Sequence, residues 1–199
     1  MQPEKKSRGG RPWSFDRDQA VETAMRLFWR SGYEGVSIGD LTKAIGIAPP
    51  SLYSAFGSKE GLYREAIDRY EERYGSIELD FGENPSLADA MRTLLEGAVR
   101  SVTHPDREGG CMVSSGMIAC HPDHAPLAHD AAARRDALRG RIGTALHPFL
   151  DEDTAQRLAR HLSAIMQGIS IQARDGATPT ELQGIVDDVV DGVAARFPA

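Results

Sequence analysis

Residues 37–56 read SIGDLTKAIGIAPPSLYSAF, and the reading of this stretch decides the fold. Ser37, three residues before Asp40, caps a short helix carrying Leu41 and Ile45. Gly46 makes a turn. Pro49 and Pro50 open a second short helix, where a missing N–H costs little because the first N–H groups of a helix have no partner within it. Leu52 and Phe56 stand four apart on one face. Two short helices about a glycine turn, with Leu41, Ile45, Ile47, Leu52 and Phe56 turned inward, can lay the second helix in a DNA major groove. The same spacing suits an ordinary core hairpin, so the flanking sequence has to decide.

The flanks favour DNA. Upstream, Asp16 followed by Gln19 resembles a capping box and opens a helix to about Ser31, with Ala20, Ala24, Leu27 and Phe28 on one face and Gly32 as its stop. This supplies the third packing face that a helix-turn-helix module needs. Before it, residues 1–12 form a basic arm, in which Gly9, Gly10 and Pro12 discourage helix and Lys5, Lys6, Arg8 and Arg11 can reach phosphates or a minor groove. Downstream, Gly57 ends the hairpin and Ser58 caps a long helix to about Gly75. Lys59 at its start brings an ammonium and a helix N-terminus to bear on one phosphate.

Residues 17–64 resemble the DNA-binding domain of TetR-type regulators. The resemblance rests on the alanine-rich first helix ending in Leu27-Phe28, on Gly32-Tyr33, on Ser37 as cap, and on Leu52-Tyr53, Phe56, Lys59 and Leu62. It implies an all-α fold: a three-helix helix-turn-helix domain at 13–60 behind the arm of 1–12, then a helical-bundle ligand-binding and dimerisation domain at 61–199. It also implies a homodimeric repressor that a small-molecule inducer releases from double-stranded operator DNA. Ser37 and the backbone at Ile38 would touch phosphate. Pro49, Pro50 and Ser51 would lie at the groove-facing start of the recognition helix, Tyr53 and Lys59 would hold phosphates, and Ser54 and Ala55 would face base edges. Ser54 and Ala55 are smaller than is common there and cannot make bidentate base contacts, which shifts specificity toward thymine methyls, the arm and DNA shape.

Helical periodicity continues to the end of the chain, about nine helices in all, with no strand pattern. Ser86 caps a helix bearing Leu87, Met91, Leu94, Ala98 and Val102. A short helix is expected from about Cys111 to Ala119, a loop at 121–126, and a long helix over 126–149 that Pro148 bends or ends. Asp153 with Gln156 opens the next helix. Thr178-Pro179-Thr180-Glu181 opens the last with cap, proline and box glutamate in order. In these two helices Leu158, Leu162, Ile165, Ile169, Ile185, Val189 and Val193 form apolar stripes fit for a dimer bundle; the alternative is that they face their own core. The segment GGCMVSSGMIAC at 109–120 is small and soft. Cys111, Met112, Ser115 and Met117, joined by Met166, are the expected lining of an inducer pocket, and plain core packing suits the same residues.

Composition limits the alternatives. The net charge of −6 divides unevenly: residues 1–64 carry ten Lys/Arg against seven Asp/Glu, and residues 65–199 thirteen against twenty-two. A weakly basic head on an acidic body keeps DNA at one end, and a chain this acidic is not a non-specific architectural binder. Without a long apolar run or a signal-like start, a cytoplasmic protein with no membrane contact is expected. Walker, Rossmann, HExxH and GxSxG patterns are absent, so no enzyme and no cofactor are expected. Two further modes of sensing stay open. One is a metal held by Cys120, His121, His124 and His129, whose spacing matches no standard zinc site. The other is oxidation of Cys111 or Cys120, which a helix over 111–120 would put on opposite faces.

Overall fold

Side chains placed by the sequence open most of the helices. In the computed structural model, which describes residues 15–83 and 85–197, Asp16 accepts hydrogen bonds from the N–H groups of Asp18 and Gln19 at 2.9 and 3.1 Å. It starts α1 (Arg17–Ser31), which Gly32 ends with φ of 71°. Ser37 and Asp40 satisfy each other's backbone N–H and start α2 (Ile38–Ile45), and Gly46 turns left-handed into α3 (Pro49–Phe56). Ser58 accepts from the N–H of Gly61 and starts α4 (Lys59–Arg73). Reciprocal boxes, each worth about 1 kcal/mol at its cap, open α5 (Leu87–Val102) at Ser86/Asp89 and α8 (Pro179–Arg196) at Thr178/Glu181. Between these lie α6 (Ala125–Leu146) and α7 (Glu152–Arg174). Among the described residues there are eight α-helices, one 3-10 turn (Pro122–His124) and no strand.

Three local expectations are corrected. Asp151 rather than Asp153 caps α7, accepting from the N–H of Thr154 at 3.0 Å, so Glu152 and Asp153 already stand in the first turn, where the helix dipole favours them. The 121–126 stretch is a 3-10 turn running into α6, with His121 as its cap. The short helix expected over Cys111–Ala119 does not form. Residues 111–120 run as turns, a strap laid across the molecule. Gly110 enters it at φ 76°, and Met117 adopts φ 54°. The guanidinium of Arg135 donates to the carbonyls of Val113 and Gly116, both at 2.9 Å, taking acceptors a helix would use for its own ladder. The helix-based argument about Cys111 and Cys120 lapses with it; both are half-buried free thiols.

Two apolar clusters organise the chain. The first is built by α1–α4 around Met25, Phe28, Trp29, Leu41, Leu52 and Leu62. It is completed from far along the sequence by Met112, Val113 and Met117 of the strap and by Leu127 and Ala131 of α6. The second joins α5–α8 around Met91, Leu94, Leu95, Ile142, Leu162 and Val186. Ion pairs fasten α1 to α4: Arg17–Glu65, Arg69–Asp18 and Arg73–Glu22. Two contacts tie α1 to the far end of the fold. The indole N–H of Trp29 donates to the carbonyl of Gly110 at 3.0 Å, and Arg174 of α7 donates to the carbonyls of Trp29 and Arg30 at 2.8 and 3.2 Å. Those carbonyls belong to the last turn of α1, which has no intrahelical donors for them.

Candidate nucleic-acid interface

The period of α3 sorts its residues. Leu52 and Phe56 are buried under the helix, while Pro49, Pro50, Tyr53 and Ser54 stand exposed and Ser51 is half-exposed. Tyr53 is 48% exposed, with its ring on the outer face of the hairpin, where a core tyrosine would be covered. Ala55, expected to face base edges, is half-buried and packs on the first cluster, which leaves Ser54 as the freer small side chain. Ser37 is exposed, with its hydroxyl bound to Asp40: it donates to the carboxylate at 2.6 Å and accepts from the backbone N–H at 3.1 Å. That carboxylate is held below its usual range by these bonds to Ser37. Ile38 is half-buried on the same cluster, and its backbone N–H lies in the first turn of α2. The arm residues Lys5, Lys6, Arg8 and Arg11 lie outside the described residues.

Lys59 is the first residue of α4 and half-buried. Its Nζ lies 4.1 Å from the centroid of the Tyr33 ring, and among the described residues it forms no ion pair. Desolvation pushes its pKa down, against the pull of Glu34 and Asp40. Lys59 and the N-terminus of α4 thus put positive charge near Asp40, the partner of Ser37.

Behind this surface, α4, α5, α6, α7 and the strap enclose a cavity of about 420 Å³. Tyr70, Tyr74, Val102, Leu138, Met166 and Cys111 are among its walls. Of the expected lining, Cys111 and Met166 are there. Met112 and Met117 are instead buried in the first cluster, and with Ser115 they border a smaller cleft of about 230 Å³ beside Trp29 and Tyr63. The absence of a helix explains the split: the turns of the strap set Cys111, Val113 and Ser114 on the cavity wall and Met112 and Met117 in the first cluster, which Val113 also joins. Tyr70 and Ser170 escaped the sequence reading, although Tyr70 and Tyr74 sit four apart on one helix face. Burial first, and the neighbouring Cys111 thiol second, push the Tyr70 hydroxyl well above its ordinary pKa. Ser170 receives the N–H of Cys111 at 2.8 Å.

The expected dimer stripe divides. Leu158, Leu162, Ile169 and Val193 are buried in the chain's own second cluster, whereas Ile165, Ile185 and Val189 are only half-buried at its edge. Packing among the chain's own α5, α6, α7 and α8 claims the former four. Among the described residues no three His, Cys, Asp or Glu side chains converge as a metal-binding set, so Cys120, His121, His124 and His129 are not gathered into one.

The comparisons with known proteins agree with this geometry. The model of the bacterial regulatory proteins of the tetR family matches residues 20–66, from α1 into α4. The HTH-type transcriptional repressor ComR of Escherichia coli K12 is 37% identical, over 91% of this chain and 90% of its own. The chain belongs to the TetR family. The HTH-type transcriptional repressor BdcR of the same strain is 31% identical over 87% of this TetR-family chain and 86% of its own. A solved cysteine mutant of the TetR family transcriptional regulator CifR, complexed with 26-bp double-strand operator DNA, superposes with a TM-score of 0.83. It is 32% identical and covers 91% of this chain and 98% of that one. The chain is therefore a helix-turn-helix regulator of the TetR family and not an enzyme. Among its described residues no helix is long and apolar enough to cross a membrane.

Proposed function

We propose that this regulator is a cytoplasmic homodimeric repressor. Residues 13–60 read double-stranded operator DNA, the arm of 1–12 adds phosphate or minor-groove contacts, and residues 61–199 hold the inducer and the partner subunit. The observation that carries this reading is the strap. One continuous segment places Cys111 and Val113 in the wall of the 420 Å³ cavity and Met112 and Met117 in the core of the reading head. A molecule that fills the cavity presses on residues whose neighbours hold α1 and α4. Binding at either site then changes affinity at the other by the same factor.

Tyr53 and Lys59 hold phosphates and Ser54 meets base edges, with Pro49, Pro50 and Ser51 at the groove. The cavity walls are largely apolar with a few serines and arginines, which suits a small, mostly apolar inducer. The partner subunit packs on the outer faces of α7 and α8. Ile165, Ile185 and Val189 keep apolar surface there, and a Cβ added at Gly168, Gly184 or Gly192 meets nothing within 4 Å. Two subunits give two reading heads, as a two-fold operator requires.

The test is direct. Fluorescence anisotropy on a duplex selected from random DNA by the wild-type protein should give tight, salt-dependent binding. Some members of a library of apolar small molecules should both raise the melting temperature and release the duplex. A protein that binds selected and random duplexes equally at fixed salt is not a sequence-specific repressor.

A further inference from the structure

Lys59 occupies a costly position in the free protein. The N-terminus of α4 already carries about half a positive charge from its aligned peptide dipoles, so a cation at its first residue is repelled. The side chain is half-buried, it forms no ion pair among the described residues, and desolvation disfavours its charge. One close contact offsets this: the face of Tyr33, 4.1 Å from Nζ. That ring is immobilised. Tyr33 is 6% exposed, stacks on Phe28 at 6.0 Å and meets the edges of Tyr63 and His124 at 5.1 and 4.9 Å.

We infer that Tyr33 is a positioning residue for DNA binding, whose ring holds the Lys59 ammonium in place at the N-terminus of α4 before a phosphate arrives. The inference rests on the reading of Lys59 as a phosphate ligand. A lysine is a charge on a flexible four-carbon stem, and freezing it on binding loses rotamer entropy. A rigid aromatic face restrains the stem in advance and leaves the outer side of the ammonium open. An oxygen anion can then take the ammonium and the first N–H groups of α4 together. Because a cation is attracted to a ring without spending an N–H on a polar acceptor, its ammonium donors stay available for a phosphate. His124 comes from the 3-10 turn that follows the strap, so this ring is also touched by the sensing half of the chain.

The experiment is a double-mutant cycle on the full-length protein, read as affinity and salt slope for the selected duplex. Lys59→Met alone tests the phosphate reading. It should weaken binding and reduce the log–log salt slope by about 1.8, about 0.9 for each subunit of the proposed dimer; an unchanged slope removes the premise. Tyr33→Leu should weaken binding about two- to fivefold per subunit, or about five- to thirtyfold for the proposed dimer, the size of its two partly exposed cation–ring contacts. It should cost nothing further when Lys59 is already Met, and Tyr33→Phe should behave as wild type. An equal loss in both backgrounds, or a loss in Tyr33→Phe as large as in Tyr33→Leu, overturns the inference even if Lys59→Met behaves as expected. Should Tyr33→Leu fail to fold, the wild-type protein decides. The Lys59 side-chain CH₂ protons nearest Nζ, assigned by comparison with Lys59→Arg, should be shifted upfield by the ring, free and on the duplex. Ordinary shifts in either state overturn it.

Discussion

Gly110→Ala tests the junction between strap and head. Gly110 has φ 76°, a conformation that costs an alanine about 1–2 kcal/mol. A Cβ there would lie 2.8 Å from the backbone oxygen of Ser170, with Arg174 Nε at 3.3 Å and Ser170 Oγ at 3.4 Å. The Ser170 oxygen is part of the α7 backbone and cannot step aside, so the strap must move by about half an ångström in a packed interior. Movement there loosens the bond from the Trp29 indole to the Gly110 carbonyl, and a buried donor left without a partner costs about 1–3 kcal/mol. Together these predict a loss of about 2–5 kcal/mol, or roughly 4–20 °C in melting temperature for a chain of this size. Urea unfolding by circular dichroism measures it, at fixed protein concentration because the proposed dimer would make stability concentration-dependent. Gly109→Ala is the control. Its added Cβ meets nothing nearer than 3.4 Å and its φ lies outside the left-handed region, so it should stay within about 0.5 kcal/mol of wild type. If Gly110→Ala loses no more than Gly109→Ala, the junction is not held as described.

Other outcomes follow from the same contacts. Ala137→Trp, at an exposed position on the cavity rim, should abolish binding of the fluorescent probe anilinonaphthalene sulfonate while leaving duplex affinity within about twofold; unchanged probe binding would place the probe elsewhere. Val189→Arg should give a monomer by sedimentation, because a charge facing the partner's apolar surface is expensive to bury, whereas a persisting dimer would exclude the α7–α8 face. Burial raises the Tyr63 hydroxyl to about 12, whereas an unfolded tyrosine ionises near 10. Its contribution is therefore complete below about pH 10 and is lost as pH rises toward 12, at up to about 1.4 kcal/mol per pH unit; unfolding that releases no proton in this window, followed by ultraviolet titration, would contradict it. Deleting residues 1–11 should lower duplex affinity and flatten its salt dependence, and identical slopes would show that the arm's cations make no phosphate contacts.

The sequence by itself determined what is local. Caps such as Ser37, Ser86 and Thr178 act on N–H groups three residues away, and glycines such as Gly32 and Gly46 act on their own φ. Most helix starts and stops were therefore legible, the cap of α7 excepted, and with them the helix-turn-helix. Tertiary structure decided whatever depends on a distant competitor. Residues 111–119 look helical alone, but Arg135 takes the carbonyl of Val113 from 22 positions away and Trp29 holds Gly110 across 81. With the strap wound in turns, Met112 goes to the head and Cys111 to the cavity, a division that no helical periodicity encodes. The stripes of α7 and α8 show the same limit. Leu162 and Ile165 are equally apolar in sequence, yet one is buried in the second cluster and the other stays at its edge, because burial is settled by which helix arrives to cover each face. Even Lys59, which the sequence marks as a cation at a helix start, owes its placement to a ring 26 positions earlier that only the fold brings beneath it.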